Sequence, residues 1–163
     1  MARKAFYSFH YKPDNSRASQ VRNIGVVEGN QPVSDNDWEA IIGRGDAAIQ
    51  AWIDGQLSGR SCTIVLIGAA TAGRKWIKYE IKKSWDDKKG LVGIHIHNLK
   101  NLAGSQSSKG SNPFADIPVG DKNLSSIVKA YDPPYSTSTD VYSHIKSNIE
   151  KWVEEAVSIR ANY

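Results

Sequence analysis

Cysteine is almost absent from this chain of 163 residues, which contains only Cys62. A lone cysteine cannot form a disulfide within the chain, and disulfide frameworks are typical of secreted proteins, so we expect a cytoplasmic location. Cys62 lies in the apolar run "SCTIVLIG", where a thiol is expected to be buried and unreactive. The sequence therefore offers neither a disulfide scaffold nor a cysteine nucleophile.

Long apolar runs are also absent, and none approaches the roughly 20 residues of a membrane-spanning helix. The start, "MARKAFYSFHY", has two early charges and no long apolar core, so we expect no signal peptide and no membrane partner. Lys and Arg exceed Asp and Glu by 21 to 17, but no arginine-rich block with interleaved aromatic residues appears. Nucleic acid is therefore not an expected partner.

The common nucleotide-binding motifs are missing as well. There is no G-x-x-x-x-G-K-[ST] phosphate loop, and no G-x-G-x-x-G follows the first predicted strand. The residues after that strand, "SFHYKPDN", do not form a Ser/Thr/Gly phosphate loop of the flavodoxin kind. The strand "SCTIVLIG" leads into "AAT" and not into an aspartate, which argues against a phospho-acceptor receiver domain.

Metal ligands are sparse. His95 and His97 in "HIH" lie on the same side of a predicted strand, because side chains alternate with period two. Two imidazoles can share a metal ion, but the sequence shows no third ligand, and paired histidines are more often packed or hydrogen-bonded. We therefore expect no metal site.

What is present is an alternation of strand-like and helix-like segments, with 40% apolar residues and five tryptophans. A first strand and its exit are predicted at 4–11, and further strands at 24–27, 61–68, 90–97 and 125–131. Helices are predicted within 16–23 and at 46–57, 71–89 and 136–160. A loop carrying Trp38 is predicted over 31–45, and residues 98–125 show neither period. This pattern predicts one α/β domain over 1–163, with its ligand site at the carboxyl ends of the strands.

Glu80 is the acidic residue that this arrangement singles out, in "TAGRKWIKYEIKKSWDDKK". At about 100° per residue, Ile77, Ile81 and Ser84 centre the inward stripe of the helix, and Glu80 lies about 60° from that centre. A carboxylate there is partly desolvated and near the ligand crevice. Two structural alternatives remain open, namely a glutamate favoured by the helix dipole and a glutamate paired with a lysine.

Four motifs occur in a fixed order, "AFYSFHY", "SCTIVLIG", "RKWIKYEI" and "KGSNPF". Together they resemble the TIR-like domains of bacteria and archaea, above all the TIR subunit of the Thoeris anti-phage defence system. The resemblance covers roughly residues 3–115. It implies a flavodoxin-like, five-stranded parallel sheet with helices on both faces.

The resemblance also implies an activity. NAD-cleaving members break the bond between nicotinamide and ribose, with NAD as substrate and no further cofactor. Thoeris TIR proteins then form a cyclised or conjugated ADP-ribose, a diffusible nucleotide signal that activates a partner effector protein. An enzyme of this class is an NAD glycohydrolase or ADP-ribose cyclase.

The resemblance assigns residues to this activity. "W-x-x-x-E", from Trp76 to Glu80, is similar to the motif whose glutamate is catalytic. Phe9, His10 and Tyr11 match the segment that lines the nucleotide site, and Trp38 falls in the region of the mobile loop after the second strand. The alternatives are a non-catalytic adaptor that acts through TIR–TIR self-association and a module that senses a nucleotide without turnover.

Overall fold

The computed structural model describes residues 3–30 and 35–163, apart from the side chains of residues 35–37. Its strands are β1 (Ala5–Ser8), β2 (Cys62–Ile67), β3 (Gly90–His95), β4 (Pro118–Val119), β5 (Lys122–Asn123) and β6 (Lys129–Tyr131). Its helices are α1 (Tyr11–Arg22), α2 (Asp35–Gly43), α3 (Asp46–Leu57), α4 (Lys75–Asp86) and α5 (Ser138–Ala161), with a 3-10 turn at Leu124–Ser126. The predicted α/β class is confirmed.

Four strands form a parallel sheet in the order β1-β2-β3-β6. β2 and β3 lie inside the sheet, and every residue of both strands is buried. Continuous burial is typical of parallel strands that are covered on two faces. The predictions of a central strand at "SCTIVLIG" and of an edge strand within 125–131 are both confirmed. β4 and β5 form a separate antiparallel pair.

The prediction of a further strand near 24–27, and with it the count of five strands, is wrong. In the described part of the chain this region contributes one isolated bridge, in which Glu28 pairs in parallel with Lys4 beside β1. Gly25 has a φ of +83°, and this left-handed conformation interrupts an extended run. The sheet therefore has four strands, with a single bridge at the position of the expected fifth.

Helices cover both faces of the sheet, as expected. On one face, Cys62, Ile64 and Leu66 of β2 pack with α1 and α5. On the other face, the alternate residues Val65 and Ile67 pack with α4, and α3 lies over the β1 end of the sheet. Each fully buried aliphatic side chain stabilises the folded state by about 1.5–3 kcal/mol. The packing of α4 against β2 therefore holds this helix firmly on the sheet.

The loop predicted over 31–45 is also wrong in part. Residues 31–34 lie outside the described residues, but α2 occupies Asp35–Gly43 and carries Trp38. Ile41 of α2 packs against the core formed by Phe6 and α3. Tertiary packing of apolar residues thus overrides the turn-forming composition from which a loop was predicted.

The last part of the chain follows the sequence pattern only in part. Of residues 98–125, which show neither period, 98–117 contain no helix or strand, but the remainder forms the short pair β4 and β5 and begins the 3-10 turn. Phe114 fixes the loop to the body because its side chain is completely buried. α5 begins after Thr137, whose hydroxyl accepts a hydrogen bond from the backbone of Asp140, as the Ser/Thr cluster predicts. No helix within 3–30 and 35–163 is long and apolar enough to cross a membrane.

Candidate active site

A cleft of about 740 Å³ opens where β1 and β2 end. Small-molecule sites typically have volumes of roughly 300–1,000 Å³. The cleft is formed by the segment after β1, by α2, by the segment after β2 and by the first turns of α4. Its lining residues are Phe9, His10, Tyr11, Lys12, Trp38, Ile42, Ala70, Ala72, Gly73, Arg74, Lys75, Trp76, Ile77 and Glu80. All six residues that the sequence singled out therefore meet in one place.

Small residues after β2 shape the floor of this cleft. The backbone N–H of Gly68 donates to the hydroxyl of Thr71 over 2.8 Å, which turns the chain after the strand. A side chain at Gly68 would lie 2.0 Å from the carboxylate of Asp14 in α1, so only glycine allows this approach. Gly73, with φ of +82°, then directs the chain into α4.

Glu80 is in the second turn of α4 and is 7% exposed. It lies beside the buried stripe of Ile77, Ile81 and Ser84, as its helical position predicts. Its carboxyl oxygen Oε1 accepts a hydrogen bond of 2.5 Å from the hydroxyl of Ser8, the last residue of β1. This contact joins α4 to the strand next to the central one.

The two structural alternatives for Glu80 do not fit this geometry. α4 has no acidic residue in its first turn, where the helix dipole acts most strongly. No salt bridge among the described residues includes Glu80. Burial raises the pKa of Glu80 to about 8, while the hydrogen bond from Ser8 opposes that rise. Such a carboxyl group is mostly protonated at neutral pH, and an arriving cation favours its charged form.

Aromatic side chains form a continuous wall opposite Glu80. The ring centroids of Phe9 and Tyr11 are 5.9 Å apart, and those of Tyr11 and Trp38 are 5.5 Å apart. Trp38 in turn meets Trp52 of α3 edge to face at 5.8 Å. These contacts attach α2 to the body of the domain and present flat apolar surfaces on which a heteroaromatic ring can stack.

A second cavity, of about 40 Å³, lies behind this wall. It is lined by Phe6, Tyr7, Phe9, Tyr11, Arg22, Asn30, Trp38, Trp52 and Glu80. Phe9, Tyr11, Trp38 and Glu80 line both cavities and so separate them. Glu80 therefore stands between an open cleft and a small aromatic chamber.

Cationic groups surround the outer part of the cleft. Lys12, Arg74 and Lys75 line it, and Arg74 is the N-cap residue of α4, without a side-chain cap. A helix N-terminus beside basic side chains suits an anionic group such as a phosphate. Burial lowers the pKa of His10, and the nearby charge of Arg74 lowers it further, so the imidazole is neutral at pH 7. Trp76 packs edge to face on Tyr79 at the rim.

The two histidines of "HIH" lie outside the cleft lining. Their ring centroids are 5.8 Å apart, and burial is the largest effect that lowers the pKa of both His95 and His97. Across residues 3–30 and 35–163, no group of three or more His, Cys, Asp or Glu side chains could hold a metal ion.

Sequence reasoning missed several residues of the site, above all Ser8, Arg74 and Trp52. Ser8 lies in the segment predicted as the first strand and its exit, from which side chains reach a ligand crevice, but no local pattern shows that its hydroxyl meets Glu80, 72 positions later. Trp52 could only be assigned to the apolar stripe of its helix. Nothing in the local pattern indicates that it meets Trp38, because the two lie on different helices.

Another groove, of about 590 Å³, lies beside the start of β1 and along α5. Its charged lining residues are Arg3, Glu150 and Glu154, and Arg3 forms a salt bridge of 2.7 Å with Glu154. Both glutamates are exposed, so neither is a desolvated acid. The cleft at Glu80 is therefore the better candidate for chemistry.

Two similarities to known proteins show the family of this chain. Residues 6–101 match the family described as "Thoeris protein ThsB, TIR-like domain". A protein of Bacillus cereus (strain MSX-D12), named "Putative cyclic ADP-D-ribose synthase ThsB1", is 40% identical over 119 residues. The match covers 70% of this chain and 62% of that protein, so the chain spans about three-fifths of the relative's length. The family match includes the cleft residues from Phe9 to Glu80.

Proposed function

This chain belongs to the TIR-like domain family of the Thoeris protein ThsB, and from that premise we propose that it cleaves NAD between nicotinamide and ribose. The observation that carries the proposal is the buried Glu80, which has no basic partner among the described residues and faces aromatic walls. The name of the relative, a cyclic ADP-D-ribose synthase, supports a cyclised or conjugated ADP-ribose as the product.

We expect NAD to bind through the aromatic surfaces and the cationic groups of the cleft. Phe9, Tyr11 and Trp38 offer surfaces for the heteroaromatic rings, and ring faces also favour the cationic nicotinamide. Lys12 and Arg74, next to the start of α4, supply positive charge for the diphosphate. The aromatic end of the cleft, where Glu80 lies, is then the place for the nicotinamide and its ribose.

Glu80 acts on the bond that breaks. The pair of electrons of the carbon–nitrogen bond leaves with the nicotinamide, which becomes neutral and needs no proton. Positive charge develops on the ribose, as in glycoside cleavage. The carboxylate of Glu80, held in a buried site, stabilises that charge more than a solvated carboxylate would.

The ionisation of Glu80 gives this reaction a characteristic pH dependence. In the free enzyme the charged form predominates only above about pH 8, so kcat/KM should rise with pH up to that value. Bound NAD places a cation near the carboxyl group and favours its charged form, so kcat should reach its plateau at lower pH. Measurement of kcat/KM and of kcat as separate functions of pH checks that kcat reaches its plateau at the lower pH.

The fate of the ADP-ribosyl cation depends on which nucleophile reaches it. A bound dinucleotide that fills the cleft beside the aromatic wall would keep water from Glu80, which favours attack by a group of the nucleotide itself over hydrolysis. We infer that NAD is a substrate and that no additional cofactor takes part. The released nucleotide would then activate an effector protein, the role that fits a Thoeris TIR protein.

The proposal is tested with purified protein, NAD and chromatographic separation of nicotinamide and ADP-ribose products. The matched variants are Glu80→Gln, in the cleft, and Glu150→Gln, exposed on α5. We expect the wild type and Glu150→Gln to release nicotinamide, and Glu80→Gln to be slower by about a hundredfold or more, the scale of a lost preorganised electrostatic partner.

Two outcomes count against the proposal. A folded Glu80→Gln protein with near wild-type turnover would show that the carboxylate is not catalytic. A wild-type protein that binds NAD and releases no product would support the nucleotide-sensing alternative instead.

A further inference from the structure

The carboxyl group of Glu80 has one polar contact that the proposed reaction does not yet use. The hydroxyl of Ser8 donates to Oε1 over 2.5 Å, and Ser8 and Glu80 are 1% and 7% exposed. When Glu80 is ionised, this hydroxyl stabilises its charge, because hydrogen bonds to charged oxygens are stronger than those between neutral groups. Among the described residues, no hydrogen bond to the second oxygen is found, so one oxygen is held and the other is available.

Ser8 is attached to a rigid element. It is the last residue of β1 and lies opposite Val65 of the central strand. One residue earlier, the backbone N–H of Tyr7 donates to the side chain of Asn30 over 2.9 Å, which fixes the strand on its outer side. A group on a packed strand positions its partner more accurately than a group on a loop.

The backbone of Glu80 is fixed independently of its carboxyl group. Ser84, one turn later, donates its hydroxyl to the carbonyl of Glu80 over 2.6 Å. The hydroxyl of Thr63, on β2, lies 2.6 Å from that of Ser84. The helix is thus tied to β2 through Ser84 and Thr63, and the carboxyl group is tied to β1 through Ser8.

Other ionisable groups share the two cavities with Glu80. They come from β1, from the two ends of α1 and from the start of α4, and they are Tyr7, His10, Tyr11, Lys12, Arg22, Arg74 and Lys75. The exposed Lys12 and Lys75 pair with Glu39 and Asp46. Burial raises the pKa of Glu80, and the hydrogen bond from Ser8 lowers it. Ser8 is therefore a group through which the protein can adjust this acid.

We propose that Ser8 is a positioning residue, whose hydroxyl holds Oε1 of Glu80 at the end of β1 and leaves the other carboxylate oxygen for the ribose of the bound dinucleotide. This inference rests on the proposed function. Removal of the hydroxyl has two effects: the carboxyl group can rotate away from the ribose, and its charged form loses a hydrogen bond.

The direct test is titration of the Glu80 carboxyl in the free protein, by carbon-13 NMR of side-chain-labelled glutamate with Glu80→Gln for assignment. In Ser8→Ala we expect the midpoint to move upward by about one pH unit, the shift that a lost hydrogen bond to a charged group produces. Ser8→Cys, which has a similar volume and a weaker donor, should move it by less. If Ser8→Ala does not fold, the shift of the Glu80 midpoint in Ser8→Cys tests the inference, and an unshifted midpoint overturns it.

Steady-state kinetics with NAD supply the second readout. We expect Ser8→Ala to lower kcat about tenfold or more, with a smaller effect on KM, and to move the acid limb of kcat/KM upward with the carboxyl midpoint. Thr63→Val is the matched control, because it removes a buried hydroxyl that does not contact the carboxyl group. It should leave the midpoint unchanged.

The outcomes separate this inference from the proposed function. A Ser8→Ala protein whose Glu80 titrates as in the wild type overturns the inference, whether or not NAD is cleaved. A raised midpoint with unchanged kcat and pH profile overturns the positioning role. A wild type that does not cleave NAD overturns the proposed function, while the titration still decides whether Ser8 controls the acid.

Discussion

At the scale of the single residue, the burial of Glu80 links the ionisation of its carboxyl group to the stability of the protein. Burial raises the pKa of its carboxyl group from 4.5 to about 8. Between these values the folded protein holds a proton that the unfolded chain has released. The free energy of unfolding therefore falls as pH rises through this window, and the stabilisation present below pH 4.5 is lost by about pH 8.

Glu80→Gln should remove this dependence on pH. From pH 4.5 to pH 8 the wild type should lose stability on the order of a few kcal/mol, and the variant should show a much smaller change because its amide does not titrate. Urea unfolding at a series of pH values measures the slope. Glu150→Gln, on the exposed face of α5, should keep the wild-type slope, and an equal slope in all three proteins would show that Glu80 is not desolvated.

At the scale of the secondary-structure element, α2 forms one side of the candidate site. Its Trp38 stacks on Tyr11 and meets Trp52 edge to face. The same side chain separates the open cleft from the small chamber behind it. The position of this short helix therefore decides how much of the aromatic surface a ligand can reach.

Trp38→Ala should weaken NAD binding more than catalysis. Aromatic stacking on a nucleobase contributes about 1–3 kcal/mol, so KM should rise about tenfold with a smaller change in kcat. Steady-state kinetics and a direct binding measurement check this. Trp38→Phe keeps a ring and should restore most of the affinity, whereas unchanged KM in Trp38→Ala would place the ligand elsewhere.

The contact between β3 and α5 depends on a residue without a side chain. A Cβ atom at Gly90 would lie 2.7 Å from the backbone nitrogen of Val157 and 2.8 Å from the backbone carbon of Ala156. These are backbone atoms of a packed helix, which cannot rotate aside. Gly90 therefore lets α5 approach the first residue of the strand.

Gly90→Ala should destabilise the protein by about 1–3 kcal/mol, the usual cost of overpacking. Gly55→Ala is the control, since Gly55 lies on the exposed face of α3 with nothing within 4 Å of the added Cβ. In a helix that change should stabilise by up to about 1 kcal/mol. Thermal melts of both variants measure the difference, and equal melting temperatures would contradict the close approach of α5.

At the scale of the whole molecule, the candidate site is at one end of the sheet and the salt-bridged groove of Arg3 and Glu154 is at the other. Parallel strands direct the segments that follow them to the same edge. Three separate parts of the chain meet at Glu80 for this reason: the exit of β1, α2, and the start of α4.

NAD should protect these three parts from hydrogen exchange together. We expect slower exchange at 8–11, 36–46 and 76–80 when NAD is added to Glu80→Gln, which binds the dinucleotide without consuming it. Mass spectrometry of the exchanged peptides measures the effect, with 136–160 as the internal control. Protection confined to 136–160 would show that the ligand binds along α5.

Much of this architecture follows from the sequence alone. Period two and continuous apolar character predict β2, and period 3.6 predicts α4 and α5, because these patterns depend on residues near one another in the chain. The same short-range geometry predicts that Glu80 leans inward between Trp76 and Ile77. Local patterns of the amino-acid sequence therefore predict the α/β class and the inward position of Glu80, while its catalytic assignment came from the resemblance to TIR-like domains.

Only the tertiary structure decided how that acid is held and what surrounds it. The bond from Ser8 joins residues 72 positions apart, and the contact of Trp38 with Trp52 joins two helices, so neither leaves a local signal. The expected fifth strand became a single bridge at Glu28, and the expected loop became α2, because packing free energies outweigh local preferences of a few tenths of a kcal/mol per residue. Local patterns determine which elements form, and long-range packing determines which side chains meet.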